Sequence, residues 1–167
     1  MEAARAPRNG TERGVHRPLV LVIEDNLHHC EIYGRMLCYN GYDVIHAGDG
    51  EAGLRLARER LPDLVLLDLT IPGIDGLDVC RLLKADSTTS GIHVVVLSSR
   101  ERSRWEDAAR EAGADEYLEK PVNAVDVLHT VEQIVGRAPL PGTGRPPLFS
   151  TVSADASPDA MQEVVRG

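Results

Sequence analysis

Residues 62–76 read PDLVLLDLTIPGIDG, and the architecture of the chain can be argued outward from them. Leu64, Val65, Leu66 and Leu67 are apolar on both alternating faces, the pattern of a strand covered by helices on either side of a parallel sheet. Asp68 follows that run directly, and the turn-forming Pro72-Gly73 comes soon after. A carboxylate at the end of a buried strand is costly unless it is paired or bound to a cation. Asp68 is therefore the residue around which chemistry is to be sought.

The same alternation continues in both directions. Aliphatic runs recur at 19–23, 43–47, 92–97 and 116–118, each bounded by turn residues, and read as further strands. Between them lie segments with apolar residues three and four apart: Ile32, Tyr33, Met36 and Leu37; Gly53, Leu54, Ala57 and Leu61; Val79, Leu82 and Leu83; Trp105, Ala108, Ala109 and Ala112; Val125, Leu128, Val131 and Val135. Gly41, Pro62, Gly91, Gly113 and Gly136 stand where these helices should stop. The order is (βα)5, an α/β fold with a doubly wound, five-stranded parallel sheet. Right-handed crossovers leave the flavodoxin-like order 2-1-3-4-5, or 3-2-1-4-5, as the leading topologies.

Composition bounds the function. At 167 residues, 43% hydrophobic and 26% charged, the chain has room for one ordinary domain. Cys30, Cys38 and Cys80 form no CxxC pair and no even disulfide framework, which points to a reducing, cytoplasmic setting. No stretch has the roughly 18 apolar residues a membrane span needs. Residues 1–17 carry +2, four arginines against two glutamates, and residues 137–167 balance three arginines against Asp155, Asp159 and Glu163. The net charge of −8 thus places −10 on residues 18–136, a domain that repels phosphate backbones, so direct nucleic-acid binding is not expected. The expected layout is an unstructured arm over 1–17, one domain over 18–136 and an unstructured Pro/Gly/Ser-rich tail over 137–167, with docking of Leu148 and Phe149 as the alternative for the tail.

In open parallel sheets ligands bind beyond the carboxyl ends of the strands. Strand one ends in Glu24 and Asp25, strand three in Asp68, strand four in Ser98 and Ser99, and strand five in Lys120-Pro121. With strands one and three adjacent, three carboxylates converge with an ammonium and a hydroxyl. Crowded carboxylates raise one another's pKa unless a cation holds them ionised, and oxygen-only ligands at a hydrated site suit Mg2+. A metal, a lysine and a hydroxyl are the parts that stabilise a transferring phosphoryl group, and aspartate can itself be the acceptor.

The stretches VLVIEDN, LLDLTIPGIDGLDV, VVVLSSR and ADEYLEKPV, in this order, resemble the receiver domain of bacterial two-component response regulators over about residues 18–136. The resemblance implies that Asp68 is the phosphoacceptor, taking its group from a sensor histidine kinase or phosphotransfer protein. Asp25, Asp68 and the backbone carbonyl of Thr70 would bind Mg2+, with Glu24 acting through water. Lys120 would pair with the acceptor and then with the phosphoryl oxygens, across a typically cis bond to Pro121. Ser98 would move toward the phosphoryl group and Tyr117 would follow as the aromatic switch, while Thr70 and Arg100 would tune phosphoryl lifetime. The fourth helix, fifth strand and fifth helix would form the output face.

The leading expectation is a stand-alone receiver that switches a downstream protein partner or relays phosphate, as a monomer or a phosphorylation-dependent homodimer. It would catalyse only its own phosphorylation and dephosphorylation. A phosphorylation-independent adaptor is the alternative. An aspartyl-phosphate phosphatase fits less well, because its second acidic pair lies downstream of the nucleophile whereas here the pair lies upstream. The adjacent His28, His29 and Cys30 do not read as a metal site, since neighbours on a helix point about 100° apart. The arginines at 100, 102 and 104 read as a solvated helix start.

Overall fold

The computed structural model describes residues 16–139 and 146–151. Strands and helices alternate along the chain: β1 Leu19–Ile23, α1 Leu27–Tyr39, β2 Asp43–Ala47, α2 Gly50–Arg60, β3 Leu64–Asp68, α3 Gly76–Ala85, β4 His93–Ser98, α4 Arg102–Glu111, β5 Glu116–Glu119 and α5 Ala124–Val135. A further strand, β6 Phe149–Thr151, lies beyond α5. The sheet runs β5-β4-β3-β1-β2-β6, with every pairing parallel. Its first five strands have the expected order 2-1-3-4-5.

The sheet separates two apolar layers. One gathers Leu21, Ile23, Val65 and Leu67 against α2, α3 and part of α4, and the other gathers Val20, Val22, Leu64 and Leu66 against α1 and α5. All five residues of β3 are buried, as a strand covered on both faces requires. Ile23 pairs with Leu67, so the next residues along, Glu24 just after β1 and Asp68 at the end of β3, emerge side by side at the carboxyl edge.

Four helices start on a side-chain cap: Asn26, Asp49, Asp75 and Asn123 each accept a hydrogen bond from a backbone N–H of the first turn. α4 begins at Glu101 without one.

Two expectations are corrected. The tail over 137–167 was expected to lack structure, but residues 149–151 add a strand to the edge of β2, because the backbone of Val44 is left to pair there and donates to the Leu148 carbonyl at 2.7 Å. Val125 was placed on the inner stripe of the fifth helix but is 70% exposed, whereas Val127 and Val131 are fully buried. The Asn123 cap fixes the helix start, and positions 127 and 131 then face the sheet. The expected N-terminal arm lies almost wholly outside the described residues.

Candidate functional site

At the carboxyl edge, β1 delivers Glu24 and Asp25, β3 ends on Asp68, and β5 leads into Lys120. The Lys120 Nζ lies 2.6 Å from Glu24 Oε2 and 2.8 Å from Asp68 Oδ2, one ammonium shared by two buried carboxylates. Burial acts to lower the Lys120 pKa, but hydrogen bonds and charge from Asp68 and Glu24 outweigh it and push the pKa up. The backbone Thr70 N donates to Asp68 Oδ1 at 2.8 Å, and Asn26 N donates to Glu24 Oε1 at 3.0 Å. Both carboxylates are thus oriented by backbone as well as by the lysine. The Lys120 N donates to the Ser98 carbonyl at 2.7 Å, and the Lys120-Pro121 bond is cis.

Glu24, Asp25 and Asp68 each offer a carboxylate oxygen, and these atoms lie within 4.8 Å of one another. A hard-oxygen donor set beside an open cavity fits a magnesium-type ion rather than a soft one. The cavity, about 750 Å3, is walled by Asp68, Thr70, Lys120 and the first turns of α1.

The loop after Asp68 is folded back tightly. A Cβ at Gly76 would stand 2.5 Å from Leu69 Cα and 2.7 Å from the Asp68 carbonyl oxygen, so the glycine lets α3 begin against the end of β3. Sequence reasoning passed over this glycine, although its place eight residues after the aspartate was a usable signal.

Ser98 and Tyr117 are drawn together away from the cavity mouth. Ser98 is fully buried and its Oγ accepts from Arg100 N at 3.1 Å; its neighbour Ser99 lines the cavity. Tyr117 is 2% exposed, its hydroxyl donates to the Arg100 carbonyl at 2.7 Å, and burial pushes its pKa up. Arg100 was expected to be solvated. It instead lies 4.3 Å over the Trp105 ring and 3.1 Å from Asp75 Oδ2, which holds its charge toward the α3 cap.

His29 also lines the cavity, with Nδ1 3.4 Å from Glu24 Oε2, a contact that no residue spacing announces. Cys30 points instead into the core, where burial, then the charges of Glu24 and Glu31, push its thiol up to about 12.

Residues 20–132 match the response regulator receiver domain family. The chain belongs to that family. This receiver is 38% identical over 115 residues to the DNA-binding response regulator MtrA of Mycobacterium tuberculosis, covering 69% of this chain and 49% of MtrA. It is 36% identical over 149 residues to the response regulator MprA of Mycolicibacterium vanbaalenii, covering 89% of this chain and 63% of MprA. Its fold superposes, with a TM-score of 0.66 and 24% identity, on the receiver domain of the sensor histidine kinase PA1611 from Pseudomonas aeruginosa, over 72% of this chain and 99% of that one. That crystal structure has a magnesium ion coordinated in its active-site cleft.

The receiver spans about half the length of the MtrA relatives it matches. The DNA-binding name of MtrA conflicts with the expectation of no nucleic-acid contact, whose charge argument concerns residues 18–136 alone. Among the described residues, no helix is long and apolar enough to cross a membrane.

Proposed function

We propose that this receiver is a phosphorylation-dependent switch in which Asp68 accepts a phosphoryl group from the phosphohistidine of a sensor kinase or phosphotransfer protein. One observation carries the proposal: Asp68, at the mouth of the cavity, is oriented by Lys120 and by the Thr70 amide beside two further carboxylates. An Asp68 oxygen forms the new P–O bond as the P–N bond of the donor breaks, and the imidazole leaves as the neutral base, keeping the proton already on its other ring nitrogen. Lys120 turns its hydrogen bonds from the carboxylates to the phosphoryl oxygens, and the Thr70 amide holds the acceptor in line. Asp25, Asp68 and the Thr70 carbonyl would hold Mg2+, with Glu24 acting through water. When bound, the ion neutralises charge on the phosphoryl oxygens. The chain then catalyses only its own phosphorylation and dephosphorylation.

The output is a population shift. Phosphoryl oxygens attract the Ser98 hydroxyl, the 98–100 segment moves, and the Tyr117–Arg100 bond carries the change to the α4–β5–α5 face, where a downstream protein docks. Intact-mass spectrometry after incubation with acetyl phosphate and Mg2+ tests the chemistry. The expected result is one phosphoryl adduct that needs the metal and is missing in Asp68→Asn. No adduct under conditions that trap short-lived species would overturn the proposal in favour of a phosphorylation-independent adaptor. Ser98→Ala should still be phosphorylated but lose phosphate-dependent partner binding.

A further inference from the structure

Gly34 sits in the middle of α1, thirteen residues long, where glycine is a poor choice against alanine. Its use is explained by Phe149. A Cβ at position 34 would fall on the Phe149 ring, at Cε2 and at 2.7 Å from Cζ, so the missing side chain is the floor of a socket for that ring. Around the socket the backbone of residues 149–151 forms a strand, and Leu148 just before it adds further bonds. Val44 N donates to the Leu148 carbonyl at 2.7 Å, Leu148 N donates to Asp43 Oδ1 at 2.8 Å, and the Cys38 thiol donates to the Leu148 carbonyl at 3.4 Å. Phe149, Ser150 and Thr151 then stand in register with Val44, Ile45 and His46.

We infer that the groove between α1 and the β2 edge is a recognition site for an extended, aromatic-bearing peptide, and that its occupant is the chain's own segment 146–151, docked as a releasable latch. Strand addition supplies the affinity and the glycine socket supplies the specificity. β2 is buried at every residue, and without the latch its backbone would be an edge open to pairing with other chains. Release is built in, because the latch is a three-residue strand and a cavity of about 390 Å3, lined by Cys30, Arg35 and Thr151, flanks the ring. α1 thereby carries two sites, since His29, Ile32 and Tyr33 on another part of its surface line the acceptor cavity. The inference does not depend on phosphoryl transfer.

The test is a cycle of Gly34→Ala and Phe149→Ala in the full chain. Phe149→Ala should lower hydrogen-exchange protection of the Val44 amide about tenfold to a hundredfold, the factor that burying one aromatic ring supports. Gly34→Ala alone should do the same, because the ring must withdraw, and should not raise the thermal midpoint. In the Phe149→Ala background the same substitution meets no ring and should raise the midpoint, as alanine in a helix normally does. A synthetic peptide Pro-Pro-Leu-Phe-Ser-Thr at millimolar concentration should shift the Val44 amide resonance of the Phe149→Ala chain and leave the double variant unmoved. The inference is overturned if Phe149→Ala leaves Val44 protection unchanged, or if Gly34→Ala raises the midpoint equally in both backgrounds. It is overturned equally by a peptide that binds neither chain or both alike.

Discussion

α1 and α4 lie against opposite faces of one sheet and are built in opposite ways. α1 starts on Asn26, whose side chain accepts from two backbone amides, and it buries Cys30, Tyr33, Gly34 and Leu37. α4 has no side-chain cap and buries Ala109 alone, with Trp105 and Ala108 only partly covered. Its first turn carries Arg102 and Arg104 and no acid, the wrong charge for the positive end of a helix dipole. What holds it is largely on the surface: Glu106 pairs with Arg102 and Arg110, one turn before and after, and such exposed pairs contribute little. The difference teaches where motion is cheap. An element that must exist in two arrangements is drawn from the weakly held part of a fold.

If that contrast is real, truncations on the two sides of the sheet must differ in cost. Leu66 is fully buried between β strands and the α1–α5 layer, and Leu66→Ala should cost about 3–4 kcal/mol in urea unfolding. Trp105→Ala removes a larger side chain but should cost under about 2 kcal/mol, because its ring is only partly covered. Equal costs would mean that α4 is as firmly seated as α1.

Lys120 joins the Glu24 and Asp68 edge to β5 and hence to the α4 side. Lys120→Met leaves the Glu24 and Asp68 carboxylates buried together without their shared cation. Breaking a buried ion pair in this way costs about 3 kcal/mol, somewhat less here because the cavity admits water. The same urea series measures it. A neutral result would show that the lysine serves chemistry without supporting the fold.

Alkaline pH should act on α1 and α3 and spare α4. Burial is the main cause that pushes the Cys30 thiol up to about 12, and for Cys80 to about 11. Both values lie above those of an unfolded thiol, so the stability these groups contribute is complete below about pH 9 and is lost as pH rises through their folded values. Unfolding free energy should fall above pH 9, by up to about 1.4 kcal/mol per pH unit for each thiol, and Cys30→Ala with Cys80→Ala should flatten the slope.

Much of this was legible in the sequence, and the parts that were not share a cause. Uninterrupted aliphatic strands such as 64–67 announce a two-faced parallel sheet, because alternation is absent only when both sides are covered. Strand-end residues Glu24, Asp25, Asp68 and Lys120 were legible as one site because the parallel sheet puts their strands' carboxyl ends on one edge. The latch was only partly legible: docking of Leu148 and Phe149 was the alternative for a Pro- and Gly-rich stretch, but where they dock depends on Gly34 more than a hundred residues away. The stacking of Arg100 on Trp105 was hidden, since a cation five residues before an aromatic ring has no fixed geometry until the helix start is known.

The smallest effect bears most directly on the switch. Glu101 occupies the cap position of α4, where its side chain accepts from the Ser103 hydroxyl at 2.8 Å but from no backbone N–H of the first turn. Aspartate there keeps the charge and has the short side chain that reaches the N2 or N3 amide, so the carboxylate caps the first turn directly. Glu101→Asp should therefore stabilise the fold by about 0.5–1 kcal/mol in thermal or urea unfolding. The gain goes to the helical arrangement already present, so the alternative arrangement becomes rarer by the same free energy, about two- to fivefold. Under the switching proposal, the cap should leave acetyl-phosphate adduct formation at Asp68 intact while weakening phosphate-dependent partner binding by that factor. A stabilised chain that still signals at full strength would show that α4 moves as a rigid body on the sheet, and that its first turn is not what yields.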